Sequence, residues 1–153
     1  MSNKPSQTIR ALKPNDLARV VEIDSRIGGR ARKQFFEKRL EAALADTTGF
    51  IAVATESGGI LNGYAIARLQ EGQFGIERKV AVLDVIGVDP EVQKQGQGSM
   101  LMDGIAARAR KLGIREIRTQ LDWHDKGLIG FFASQDFQLT PNKVLERAVT
   151  RNL

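Results

Sequence analysis

Val85-Ile86-Gly87-Val88-Asp89-Pro90-Glu91-Val92-Gln93-Lys94-Gln95-Gly96-Gln97-Gly98-Ser99-Met100-Leu101 runs from an apolar segment through a glycine loop into a helix. The segment that feeds it, Lys79 to Val88, is almost continuously apolar, as expected of a strand buried on both faces inside a sheet. On the far side, Leu101, Ile105, Ala109 and Leu112 form one stripe of a helix from about Gly98 to Leu112, with Gly113 as its stop. Between them, Gly96 and Gly98 let the loop take dihedrals other residues avoid and let a ligand approach the backbone closely. Unpaired amides at the helix start, favoured by the helix dipole, then make an anion site, so the implied ligand carries phosphate. Two familiar phosphate motifs are excluded. The chain has no Gly-x-x-x-x-Gly-Lys-Ser/Thr, and Leu101 stands where a dinucleotide fingerprint needs Gly or Ala. What remains is Gln-x-x-Gly-x-Gly after Val-x-Pro.

Working outward, a short strand around Thr8 to Leu12 runs into Pro14-Asn15-Asp16, where Asn15 or Asp16 can cap a helix carrying Leu17, Val20, Val21 and Ile27. Gly28-Gly29 ends it. After the basic loop Arg30-Ala31-Arg32-Lys33, the spacing of Phe35, Phe36, Leu40, Ala43 and Leu44 predicts a second helix that stops before Thr47-Thr48-Gly49. Phe50 to Ala54 and Leu61 to Leu69 read as strands joined across Ser57-Gly58-Gly59, a connection too short for anything but an antiparallel pair. Downstream, Ile114 to Trp123 alternates as a strand, Asp125 to Gln135 reads as a short helix, and Phe137 to Leu139 with Val144 to Val149 are expected to close the sheet. The order βααβββαβαββ describes one α/β (α+β) domain over residues 1–153, since no repeat or linker divides it.

Composition bounds the chemistry. The chain has 153 residues, 42% of them hydrophobic, enough for one closed core. Its 23 Lys and Arg against 18 Asp and Glu leave a net charge of +5, which suits an anionic partner. With no Cys and one His, a thiol nucleophile, a disulfide framework and a Cys/His zinc site are all excluded. The polar start, Met1 to Ser6, lacks the apolar stretch of a signal peptide, and no run approaches the ~18 residues of a membrane span. A soluble cytoplasmic protein without a membrane partner is the expectation.

Val88-Asp89-Pro90 followed by Gln93-Lys94-Gln95-Gly96-Gln97-Gly98 resembles the acyl-CoA-binding signature, Gln/Arg-x-x-Gly-x-Gly/Ala, of the GNAT superfamily of N-acetyltransferases. In that family the signature also follows the fourth strand and opens the third helix. The resemblance implies a mixed, mostly antiparallel, twisted sheet of about seven strands flanked by four helices. It further implies acetyl-CoA as co-substrate and no metal. Backbone amides from Gln93 through Gln95, Gly96, Gln97 and Gly98 to Ser99 would hold the pyrophosphate, with Lys94 near the phosphates. Ile86, Gly87 and Val88 would pair with the pantetheine arm where the sheet splays.

The matching stretch of the family's last helix brings Asp125, Phe131 and Phe132 to the coenzyme. Here the chain departs from the pattern Asn…Phe-Tyr-x-x-x-Gly-Phe: Asp125 stands for Asn, Phe132 for Tyr and Asp136 for Gly. A phenyl ring has no proton to give a departing thiolate, and the only tyrosine, Tyr64, lies on an earlier strand.

Acyl transfer to an amine needs a neutral nucleophile and a donor for the developing oxyanion. The resemblance puts that donor at a backbone N–H of the fourth strand, at Val88 or its neighbour. Asp84 interrupts the run of Val80, Val82, Ile86 and Val88, and a carboxylate there is either a general base or a partner for neighbouring backbone or Arg. His124, the only side chain titrating near neutrality without a shift, follows the fifth predicted strand beside Trp123 and is a second catalytic candidate. For the acceptor, Asp24 on the inward stripe of the first helix, with Glu22 beside it, Arg30 in the basic loop and Trp123 are the candidates. The acceptor itself reads as a small amine, an amino acid or a peptide or protein amine. A nucleic-acid role for Arg30 to Lys33 is disfavoured, because Phe35 and Phe36 fit helical core spacing. Pairing into a homodimer through a sheet edge is compatible with the pattern. The alternative to an enzyme is an acyl-CoA-sensing module that kept the coenzyme site and lost catalysis.

Overall fold

The computed structural model describes residues 6–72 and 79–150. They fall into two compact units, Met1–Gln120 and Leu121–Leu153. The first contains strands β1 (Gln7–Ala11), β2 (Phe50–Ser57), β3 (Ile60–Gln70), β4 (Val80–Val88) and β5 (Ile117–Arg118), with helices α1 (Leu17–Gly28), α2 (Lys33–Ala45) and α3 (Gln97–Lys111). The second contains α4 (Lys126–Ser134). The sheet runs in the order β1-β2-β3-β4-β5, antiparallel throughout except for the parallel β4–β5 pair. Gly58 and Gly59, both at positive φ, make the two-residue turn that joins β2 to β3 with the twist the hairpin requires.

Apolar periodicity accounts for the packing. Val20 and Ile23 of α1 and Phe36, Leu40 and Ala43 of α2 bury against Ala54, Leu61, Tyr64 and Ile66 of the sheet. Helix α3 packs over β2 and β3 through the fully buried Leu101 and Ile105. Helices α1 and α3 end where the glycines indicated, Gly29 and Gly113 both adopting the left-handed conformation, and α2 ends at Ala45, before Thr47-Thr48-Gly49.

Three expectations are corrected. Neither Asn15 nor Asp16 caps α1 through its side chain: Pro14–Asp16 is a 3-10 turn, and the buried Asp16 accepts instead from the Lys13 amide at 2.7 Å and from Arg10 at 2.8 and 2.9 Å. The strand expected over Ile114 to Trp123 is only Ile117–Arg118. Beyond that pair the Thr119 hydroxyl, not a backbone amide, donates to the Leu83 carbonyl at 3.1 Å, a side chain displacing the ladder. Finally, 137–139 and 144–149 form no strand; Leu139, Val144, Leu145 and Val149 are exposed, so the described sheet has five strands rather than about seven. Alternation marks a segment able to pair, but a strand also needs a partner edge.

Candidate active site

Asp84 is the extra residue of a β-bulge. Ile66 of β3 faces Val85 and Ala67 faces Leu83, so Asp84 has no partner in the register. A bulge bends and twists its strand. It sits where pairing with β5 stops at Val82, so β4 from Leu83 to Val88 has no strand on its β5 side among the described residues. The two features leave Ile86, Gly87 and Val88 on a stretch of β4 that has no strand on its β5 side among the described residues. The Asp84 carboxylate accepts from Arg39 at 3.0 Å and Arg68 at 3.2 Å, one oxygen to each. Each oxygen keeps a lone pair for a further donor.

Gly87 is required by its neighbour. A Cβ there would lie 2.5 Å from both Cζ and Oη of Tyr64, the residue facing it across β3 and β4. Tyr64 is only 2% exposed, and its ring stacks edge-on with Phe36, centroids 5.6 Å apart. Burial pushes its phenol well up, the Asp24 carboxylate adds to this and the Arg32 guanidinium opposes it, so the hydroxyl stays protonated far past neutrality.

After β4 the chain is anchored before it is released. The buried Asp89 accepts from Arg19 at 2.6 Å, from Arg26 at 3.4 Å and from the Glu91 amide at 3.1 Å, while its own amide donates to the Asn62 carbonyl at 2.8 Å. Pro90–Val92 is a 3-10 turn. The Gln93 side-chain amide donates to the Val88 carbonyl at 3.2 Å. Lys94 and Gly96 then take positive φ, 69° and 90°, and α3 begins at Gln97. A Cβ on Gly96 would meet nothing within 4 Å, so the loop borders open space at that point. Its amides meet no backbone acceptor from Lys94 to Gly96 among the described residues, and the first amides of α3, including Gly98 and Ser99, are those a helix leaves unpaired. Alternating positive φ that turns successive N–H groups toward open space is the geometry of an anion nest. Gln97, 1% exposed, has neither amide atom hydrogen-bonded. The loop therefore fits a pyrophosphate through its backbone.

Asp24 is buried, and Arg32 donates to it bidentately, from Nη2 at 2.7 Å and Nε at 3.1 Å, one to each carboxylate oxygen. The same guanidinium lies over the rings of Phe35, at 5.1 Å, and Phe36, at 5.4 Å. Arg30, in the same connection, is exposed.

The remaining candidates belong to the second unit. His124 is exposed, with Nδ1 3.0 Å from Asp122, and Trp123 is 73% exposed. Asp125 caps α4 by accepting from the Leu128 amide at 3.1 Å, which is what Asn would do at that position. Phe132 is buried against Phe131 and Phe137, with centroids 5.2 and 4.9 Å away. The Phe137 amide bonds to the Phe132 carbonyl and the Asp136 amide to that of Ala133, with Asp136 at φ 65°. This is a Schellman stop with its apolar contact, and it explains why glycine suits position 136.

The sequence reading missed Arg39, Arg68, Arg19, Arg32 and Tyr64 as site residues. An acidic residue in an apolar strand did signal that cations would be needed, but not which ones. Among the described residues no group of His, Asp or Glu gathers to hold a metal, and no helix is long and apolar enough to cross a membrane.

Comparison with known proteins bears on the fold. No curated protein matches the sequence. Among solved structures, the aminoglycoside N-acetyltransferase AAC(6')-Iy in complex with CoA superposes with a TM-score of 0.83 at 14% identity, covering 98% of this chain and 99% of the other. A transcriptional regulator from Bacillus halodurans C-125 gives 0.77 at 17% identity, over 94% and 99%. Glucosamine-6-phosphate N-acetyltransferase from Arabidopsis thaliana gives 0.70 at 13%, over 96% and 99%. At such identities the likeness is one of fold. The sequence model for the acetyltransferase (GNAT) family matches residues 17–137, spanning α1 to the end of α4, and the chain belongs to that family.

Proposed function

We propose that this acetyltransferase moves the acetyl group of acetyl-CoA directly onto the primary amine of a small molecule in a ternary complex. The observation that carries the reading is the loop from Gln93 to Gly98, where positive φ at Lys94 and Gly96 opens a backbone cradle at the start of α3. Amides of this loop and of Ser99 would hold the pyrophosphate, assisted by the helix dipole and by Lys94. The open edge of β4 at Ile86, Gly87 and Val88 would pair with the pantetheine arm, and a β4 N–H would face the oxyanion. Acetyl-CoA, when bound, supplies an activated thioester. Asp84 takes the proton released as the amine nitrogen bonds to the acetyl carbon and the carbon–sulfur bond breaks. No side-chain acid is required at Phe132, because a thiol of pKa about 8.5 departs near neutrality with help from water. With no cysteine in the chain, direct transfer is favoured over an acyl-enzyme. The aminoglycoside acetyltransferase neighbours support a small cationic acceptor over a protein amine.

Titration calorimetry tests the coenzyme site. Micromolar binding of acetyl-CoA is expected, and its loss in Gly96→Trp, with folding checked by thermal melting. Absence of binding in the unmodified protein overturns the proposal. Phe132 favours a second reading, an acyl-CoA sensor without catalysis; release of coenzyme thiol with any amine eliminates it.

A further inference from the structure

Asp24, Phe35 and Phe36 form a cation site that the chain fills with its own Arg32. A buried carboxylate held bidentately by one edge of a guanidinium, with two aromatic faces about 5 Å from the same carbon, is how proteins bind guanidinium and ammonium groups. The occupant differs from the walls. Asp24 is buried in α1, whereas the Arg32 side chain is 47% exposed and belongs to the short connection after Gly28 and Gly29, ahead of α2. Its backbone, at φ −112° and ψ 55°, is neither helical nor extended, and only its carbonyl is engaged by α2, accepting from the Phe36 amide at 3.1 Å, which leaves the side chain free to turn about its own bonds. Tyr64 joins this site to the sheet: it is close enough to Asp24 and Arg32 for both to affect its phenol, and its Oη lies against Gly87. A cation in place of Arg32 would thus sit one phenol ring from the open stretch of β4.

We propose that Arg32 is an internal stand-in for the acceptor's second cation, and that the enzyme prefers amines carrying an additional ammonium or guanidinium group a few bonds from the reacting nitrogen. This rests on the reading of β4 as the strand that presents the thioester. Binding such an acceptor requires Arg32 to swing out, so its affinity is reduced by the fraction of time the pair is closed. Arg32 is a specificity-determining residue and Asp24 the anchor it guards.

The test uses agmatine, which carries an amine and a guanidinium, against butylamine, which carries the amine alone. Calorimetry on the full chain with coenzyme A present is expected to show Arg32→Ala raising the agmatine-to-butylamine affinity ratio about ten-fold. Asp24→Asn is expected to abolish the preference while leaving coenzyme A affinity within about two-fold. If Arg32→Ala does not fold, Arg32→Met keeps the apolar stem over the Phe rings and carries the same expectation. An unchanged ratio in the folded Arg32 variant, or coenzyme A binding lost with Asp24→Asn, overturns the proposal and leaves the pair as a strut between α1 and α2. Agmatine binding with the expected variant pattern, but no thiol release from acetyl-CoA, would overturn the proposed function and leave the cation site standing.

Discussion

Asp84 shows how one residue in an apolar strand earns two descriptions. Its carboxylate is ion-paired with Arg39 and Arg68, as a structural role demands, and it occupies the bulge beside the open edge of β4, as a base would. The two roles separate in kinetics. Asp84→Asn keeps the shape and the ability to accept from an arginine but cannot take a proton. We expect it to lower kcat by about 100-fold, the low end for general base catalysis, with the acetyl-CoA dissociation constant nearly unchanged. Steady-state rates alongside calorimetry decide this, and equal loss of both quantities would assign Asp84 to structure alone. Asp84 was legible because it broke a hydrophobic run. Tyr64 was not, because its importance lies in facing Gly87 across β3 and β4, a register no local pattern reveals.

Helix α3 carries a second conflict. Gln97 fills a buried position in the first turn, yet both atoms of its side-chain amide lack hydrogen bonds. Such a group costs about 1–3 kcal/mol of desolvation that nothing returns. The coenzyme reading uses only its backbone. Gln97→Leu is therefore expected to stabilise the protein by about 1 kcal/mol, raising Tm by about 2–4 °C in a domain of this size, with acetyl-CoA affinity unchanged within about two-fold. Scanning calorimetry and a binding titration check both halves; a fall in affinity would mean that the side-chain amide reaches the ligand. At this scale the sequence was read well where one element satisfies itself. Three helices of the first unit and strands β1 to β4 follow from apolar period, with glycine stops ending α1 and α3. Reading failed where an element depends on what lies beside it: β5 is cut short by the Thr119 hydroxyl and the Asp84 bulge, and Val144 to Val149 pairs with nothing described.

Across the molecule, the same contrast governs the site. The coenzyme loop is contiguous from Val88 to Ser99, so its chemistry was visible in one reading of the chain. The cation site draws on α1, the connection after it, α2 and β3, and exists only once the sheet has assembled. Holding these parts together falls partly to buried carboxylates. Burial pushes the Asp89 carboxyl up, but the Glu91 amide and the Arg19 and Arg26 guanidiniums outweigh it and hold the group below the ordinary carboxylate range; Asp16, with Arg10 and the Lys13 amide, behaves alike. A group whose folded pKa is lowered binds its proton more readily in the unfolded chain. Its stabilisation is complete above the unfolded value of about 3.9 and drains away as pH falls through the lower, folded value. Tm should accordingly hold near neutrality and drop as pH falls from about 5 to about 3. Asp89→Asn leaves Arg19 with the more exposed Glu22 carboxylate, 3.3 Å away, and is expected to cost about 3 kcal/mol at pH 7, the low end for a broken buried pair because Arg19 is partly exposed. The difference between the two proteins should shrink below about pH 4, where the unfolded chain's Asp89 carboxyl takes up a proton that the folded one still resists. Melting curves of both proteins across this range provide the check. A gap that stays constant down to pH 3 would show that Asp89 acts through shape and backbone hydrogen bonds rather than charge.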